Sequence, residues 1–434
     1  MNDDSYDPFD SPDEQPASDL IDSTSDEDSR DVELPLESTP FVQAPLAAHE
    51  PTRASDDAGA RGRARARQAQ RRRTRQEGDQ VTARARQPRQ IRPLDRLNLP
   101  KITIPVNRAL LGVIGGVIFI AVIVIGLGRL RNDPATAFSN AVWIGREWTL
   151  EARSPQEVAE FADDLRERQI GSVYAWVSWL QPDQTWNGEA SFANLSTFSV
   201  AFKTAYPDVR LFGWISLPTE REPGVTRIDD FALQTQVAAF SERIVEEFGF
   251  DGVFISADPI WEGDQNYLSL LRTVRAGVGL DTPIGVALPP DWTPAGATIP
   301  MPPSIAPGTE WSTPYKQSVG LLVDQMVIMA FQTGMALADD YQAWVAYQVT
   351  TYARAIAELD TNIEILIGVP SLPSGTPRLD PAIENIQMTS AGVLTGLAQS
   401  GEDARYVVGV AVYAEWETDA SEWDSFRRAW LEAR

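Results

Sequence analysis

Apolar and polar positions follow three patterns along the chain. Up to Arg108 no apolar period of either helical or strand type persists. From Ala109 to Gly128 the chain runs Ala-Leu-Leu-Gly-Val-Ile-Gly-Gly-Val-Ile-Phe-Ile-Ala-Val-Ile-Val-Ile-Gly-Leu-Gly with no charge or polar side chain. Beyond Asn132 short apolar runs alternate with amphipathic stretches. The runs Ala141–Gly145, Ser172–Ser178, Val209–Ser216, Gly252–Ala257, Ile284–Leu288, Gln325–Phe331, Ile363–Val369 and Val407–Tyr413 predict strands. Their nearly continuous apolar character is that of parallel strands buried on both faces. Between most of them the spacing predicts helices, over Pro155–Arg168, Asp229–Phe248, Asn266–Val278, Tyr341–Leu359, Pro381–Ser400 and Ser421–Ala433. Ser154, Asp229 and Asp380 precede such stretches as expected N-caps. Eight strand–helix units over 133–434 predict an α/β fold of the (β/α)8 (TIM) barrel type. An open, doubly wound sheet is the alternative, but no Gly-rich dinucleotide loop follows the first strand.

Charge divides the part before the barrel. Residues 1–50 are acidic and rich in Asp, Ser and Pro, whereas 53–107 carry an Arg block that includes Arg61–Arg67 and Arg71–Arg75. Neither has the apolar surface needed to offset ordering entropy, so 1–107 is expected to be an intrinsically disordered tail. The uncharged stretch, bracketed by Arg108 and Arg129, is long enough for one membrane-spanning helix over 108–129. Gly112 and Gly116 have the spacing that permits close helix pairing. The dense Arg flank places the N-terminus in the cytoplasm and the barrel on the far side of the plasma membrane. Anionic lipid or another polyanion is the expected partner of the Arg block. The first strand begins about a dozen residues after the membrane stretch, so the barrel's C-terminal face is expected to point away from the bilayer.

Composition narrows the chemistry. The chain lacks cysteine, and its single histidine, His49, lies in the tail. Disulfides, Cys–His dyads, Ser-His-Asp triads and His-built metal sites are therefore excluded from the barrel. No cofactor or metal is expected, and acid–base work falls to Asp, Glu, Tyr or Lys. A formal net charge of -24 also argues against nucleic acid at the barrel.

Sites on such barrels are built from strand C-termini and the loops after them. Those positions hold Trp148, Trp176, Trp179, Trp214, Trp292, Phe331, Gln332 and Trp416, expected to contact substrate. Indole faces suit the apolar C–H faces of sugar rings, so a polysaccharide or other glycan is the expected partner. Asp258 ends a buried strand and is the candidate proton donor, with Glu262, Glu415 or Glu417 as candidate second carboxylate. Three roles stay open on these residues: a divergent glycosidase, a non-catalytic glycan-binding barrel, or a protein-interaction or signalling module.

Phe250-Asp-Gly-Val-Phe-Ile-Ser-Ala-Asp258 resembles the fourth-strand signature of the family 18 glycoside hydrolases, the chitinases and their relatives. Asp251, Gly252 and Val253 match, while the signature's three acidic positions fall on Phe254, Ser256 and Asp258. Met329 and Ala330 resemble the family's sixth-strand Met-x-Tyr-Asp segment, with Phe331 and Gln332 in place of Tyr and Asp. Ile367-Gly-Val-Pro370 is similar to the seventh-strand motif, and Trp416 lies near the family's eighth-strand tryptophan. The resemblance implies the barrel fold and a sugar-shaped cleft. It also implies a substrate-assisted mechanism in which the substrate's acetamido group is oriented by the middle Asp and the Tyr. Here those helpers are Ser256 and Phe331, so ordinary chitinase activity is not expected and the barrel is a pseudoenzyme candidate.

Overall fold

The computed structural model describes residues 139–434. Strands β1 (Asn140–Ile144), β2 (Ile170–Trp179), β3 (Arg210–Pro218), β6 (Gly252–Asp258), β7 (Ile284–Leu288), β8 (Gln325–Ile328), β9 (Glu364–Pro370) and β10 (Val407–Tyr413) close into a parallel barrel. Closure is made by β1, which pairs with β2 on one side and β10 on the other. Each barrel strand is followed by a helix: α1 (Pro155–Glu167), α2 (Ala193–Ala205), α3 (Phe231–Glu246), α4 (Gln265–Val278), α5 (Thr313–Gly320), α6 (Ala338–Ala357), α7 (Ile386–Ser400) and α8 (Ala420–Phe426). A small antiparallel hairpin, β4 (Glu220–Glu222) and β5 (Val225–Thr226), is inserted between β3 and α3. The (β/α)8 expectation is thus met.

Local differences have local reasons. Ser154 caps α1 as expected, in a reciprocal box with Glu157. At α3 the cap is Asp230 rather than Asp229. The helix expected from Pro381 begins only at Ile386, capped by Asn385. Asp380 instead caps a preceding turn, accepting from Ala382 N at 2.9 Å. The strand expected to reach Phe331 ends at Ile328, because Ala330 N and Phe331 N turn back onto Ile328 O and Met329 O. That bend carries both Met329 and Phe331 into the barrel interior. Helices α2 and α5 were not anticipated. The buried face of α2, with Leu195, Phe198 and Phe202, is interrupted by Ser and Thr of low helix propensity. The uncharged stretch 109–128 and the tail lie outside the described residues, among which no helix is long and apolar enough to cross a membrane.

Two apolar layers hold the barrel. The outer one lies between strands and helices. The inner one fills the barrel with Trp143, Tyr174, Phe212 and Phe254, all fully buried. Trp143 meets Tyr174 edge-on at 4.8 Å between centroids, and Tyr174 stacks on Phe254 at 3.9 Å. Phe254 lies so close over β7 that a Cβ on Gly285 would sit 2.6 Å from its ring. Below this stack, at the N-terminal face, Gln325 joins Tyr174 to Glu364, and Arg210 bonds Glu364 at 2.6 Å. The motif aspartate Asp251 is structural: its carboxylate accepts from Lys203 Nζ and Leu211 N, both at 2.8 Å.

Candidate functional site

Parity along the strands decides which side chains reach the barrel mouth. Above the filled interior, Trp214 of β3 meets Trp176 of β2 edge-on at 4.6 Å, with an interplanar angle of 82°. Tyr413, ending β10, stacks on Phe331 and meets Trp416 edge-on at 5.9 Å. Trp176 and Trp416 are half-buried at the rim, whereas Trp214, Phe331 and Gln332 are 3–5% exposed and form the floor. The loop after β9 folds over part of that floor. Leu372 and Leu379 pack on the inner aromatic cluster, and Gly334 N donates to Arg378 O at 3.1 Å. The turn beneath is fixed by Glu384, 1% exposed, which accepts from Thr333 N, Thr333 Oγ1 and Gly334 N. Burial pushes its carboxyl up to about 7 against those hydrogen bonds.

Asp258 ends β6 at this mouth. Burial pushes its carboxyl up to about 7; the Arg378 guanidinium opposes the rise and the Glu220 carboxylate adds to it. Asp258 is therefore a neutral hydrogen-bond donor over much of the range below neutrality. Two residues earlier on the same strand, Ser256 Oγ accepts from Trp214 Nε1 at 2.9 Å. Phe254 is fully buried in the inner stack. An apolar interior has thus taken the first acidic position of the resembled signature and an indole partner the second, while Phe331 brings no hydroxyl.

The carboxylate whose charge reaches Asp258 is one the sequence did not single out. Glu220 opens the inserted hairpin just after Pro218, which pairs in register with Asp258. Its Oε1 accepts from Trp261 Nε1 at 2.9 Å and its Oε2 from Gly224 N at 2.8 Å. The signal lay in Glu220 following the third predicted strand, but only the strand register brings it towards Asp258.

Glu262 and Glu415 serve elsewhere. Glu262 is exposed and accepts from Ser312 N at 2.8 Å, tying the loop after β6 to the start of α5. Glu415 lines a separate cavity of about 400 Å³ between α1 and α8, together with Trp148, Phe161, Asp164, Arg168 and Trp423. Burial and the neighbouring Glu147 charge push Glu415 up to about 7. Trp148 belongs to that outer cavity, not to the mouth. It stacks flat on Phe161 at 3.9 Å, and the Arg153 guanidinium lies over its ring. Trp292 likewise packs into the outer layer. Next to it, Asp291 and Lys316, 1% and 2% exposed, form a buried ion pair that also engages Thr351. Trp179 is half-buried at the end of β2, its carbonyl accepting from Asn187 N. Of the expected site residues the mouth therefore gathers Asp258, Trp176, Trp214, Phe331, Gln332 and Trp416. Among the described residues no acidic cluster is arranged to hold a metal ion.

No family model matches the chain, and no curated protein matches it by sequence. Solved structures do match. The Bacillus cereus spore cortex-lytic enzyme SleL is 10% identical with a TM-score of 0.44, over 68% of this chain and 74% of that one. The Ostrinia furnacalis Group IV chitinase is 11% identical with a TM-score of 0.46, over 68% of this chain and 100% of that one. A class V chitinase from Pseudomonas fluorescens is 12% identical with a TM-score of 0.42, over 68% of this chain and 99% of that one. Figures of this size say nothing about chemistry. The barrel itself rests on its own closed strand ladder.

Proposed function

We propose that this is a membrane-anchored barrel of glycoside-hydrolase type that binds a polysaccharide of the cell envelope or its surroundings across its C-terminal face. One observation carries the reading. The carboxyl of Asp258, pushed up to about 7 by burial, ends a barrel strand at a mouth rimmed by the half-buried indoles Trp176 and Trp416. A neutral acid donates to a sugar hydroxyl or glycosidic oxygen, and indole faces take the apolar faces of the rings. The anchor in this reading is Ala109–Gly128, with the Arg block on the cytoplasmic side against anionic headgroups. Ser256 and Phe331 cannot orient an acetamido group as the resembled family does, so the family's own mechanism is not assigned.

The test is binding of the full chain, purified in detergent, to a panel of soluble polysaccharides. Trp176→Ala and Trp416→Ala should each weaken binding about tenfold or more, on the scale of lost aromatic contacts. Trp292→Ala, in the outer layer, should leave affinity unchanged if the fold is intact. Failure of the wild-type chain to bind any glycan would sink the reading.

A further inference from the structure

We infer that Glu220 is a second catalytic carboxylate at the mouth, acting as general base opposite Asp258 in the hydrolysis of glycans that carry no 2-acetamido group. This rests on the glycan reading above and goes beyond it by assigning a reaction, a residue and a substrate class.

Placement comes first. Glu220 lies two residues beyond Pro218, the register partner of Asp258. Thr219 between them locks the two chain segments together, its N donating to Asp258 O at 2.9 Å and its hydroxyl to Pro259 O. From the other side Trp261, three residues after Asp258, donates its indole N–H to Glu220. The hairpin turn closes the arrangement through Gly224 N, at a glycine with φ of 80°. Both carboxyl groups thus hang from one cross-linked piece of backbone at the C-terminal ends of adjacent strands. The Glu220 charge is felt at Asp258.

Chemistry follows from that placement. Each Glu220 oxygen receives one N–H and keeps a lone pair. With both oxygens already accepting, the carboxylate is assigned a water's proton rather than covalent attack. The step balances as an inverting hydrolysis. The Asp258 carboxyl protonates the glycosidic oxygen as the C–O bond breaks with its electron pair. Water adds to the anomeric carbon from the opposite face and loses a proton to Glu220. Glu220 then returns that proton through solvent to Asp258, leaving two free hydroxyls for one bond and one water. No acetamido nucleophile enters, which removes the need for the groups that Ser256 and Phe331 replace. The hairpin carrying Glu220 is thereby given a purpose beyond lengthening a loop.

The experiment incubates the full chain in detergent with hexaoses of β-1,4-glucan, β-1,3-glucan, β-1,4-mannan and N-acetylglucosamine, following both binding and new reducing ends. Turnover of an acetamido-free hexaose is expected, with inversion at the new anomeric centre by NMR. Glu220→Gln and Asp258→Asn should each cost about 10²- to 10⁴-fold in turnover while binding persists. Glu220→Gly with added azide should yield a glycosyl azide, which a merely structural role would not give. Binding without turnover overturns the catalytic assignment and leaves the glycan reading standing. Absence of binding removes both. Turnover confined to the N-acetylated hexaose, retention of configuration, or full activity in folded Glu220→Gln would each overturn the role assigned to Glu220.

Discussion

At the residue scale, the protonation of Asp258 governs the mouth. Its folded-state value near 7 stands above an unfolded value of about 3.9. Between those values the folded chain holds a proton that the unfolded chain has released, so stability falls as pH rises through this window. Glu384 and Glu415 add to the same trend, since burial pushes both up to about 7. Thermal melting should therefore give a lower midpoint at pH 8 than at pH 6, with a smaller gap in Asp258→Asn. Glycan affinity should track the donor: present at pH 6, falling as pH passes 7, and flat across that range in Asp258→Asn. Calorimetric titration at three pH values measures it, and equal pH dependence in the variant would reject Asp258 as the donor. Asp258 was legible in the sequence because it ends an apolar run. Glu220 and Glu384 were not: Glu220 sits in a polar stretch without periodicity, Glu384 sits inside a stretch that reads as helix, and the contacts that place each at the mouth come from residues distant in sequence. The tryptophans divided for a similar reason. Trp148, Trp176, Trp292 and Trp416 all lie near strand ends, and whether each faces the interior or the helices depends on parity and on register shifts such as that between Trp176 and Ser178.

At the scale of elements, strands were the most legible because their apolar runs record burial on both faces directly. Helix starts were less so, since Asp380 and Asn385 are both good caps and only the chain's path into the loop over the mouth selects the second. Two elements carry sharp energetic expectations. Lys316 on α5 neutralises Asp291 in a dry site, so Lys316→Met should strand a buried charge and cost about 3–5 kcal/mol in urea unfolding. Pairing it with Asp291→Asn should recover part of that loss. Glu384 fastens the turn after β8 to the loop after β9, and Glu384→Ala leaves Thr333 N without its acceptor, while Gly334 N keeps Arg378 O. The expected cost is about 1–3 kcal/mol. Hydrogen exchange at the Thr333 amide should rise, whereas unchanged protection would mean that the loop is held by its Leu372 and Leu379 contacts instead.

At the scale of the whole molecule, the barrel class was legible from the count and spacing of its runs, whereas its closure required the pairing of β1 with β10. The anchoring proposed for Ala109–Gly128 has its own test. Removing those residues should move the protein from the membrane fraction to the soluble fraction after cell lysis, with the barrel's melting midpoint unchanged. Retention in the membrane fraction would assign the attachment to another part of the chain.

The aromatic packing of the barrel also makes the protein its own optical reporter. Trp143, sealed among Tyr174, Phe254 and Tyr413, has an indole nitrogen with no hydrogen-bond partner among the described residues. Its emission should lie at the blue end of the tryptophan range and resist aqueous quenchers. Trp176 and Trp214, 4.6 Å apart and nearly perpendicular, are close enough for their excited states to mix. Their mixing should appear as a paired band of opposite signs in circular dichroism, lost in Trp176→Phe. A sugar settling on the rim would distort that band while leaving the Trp143 emission where it was, so occupancy of the mouth can be followed in unlabelled protein.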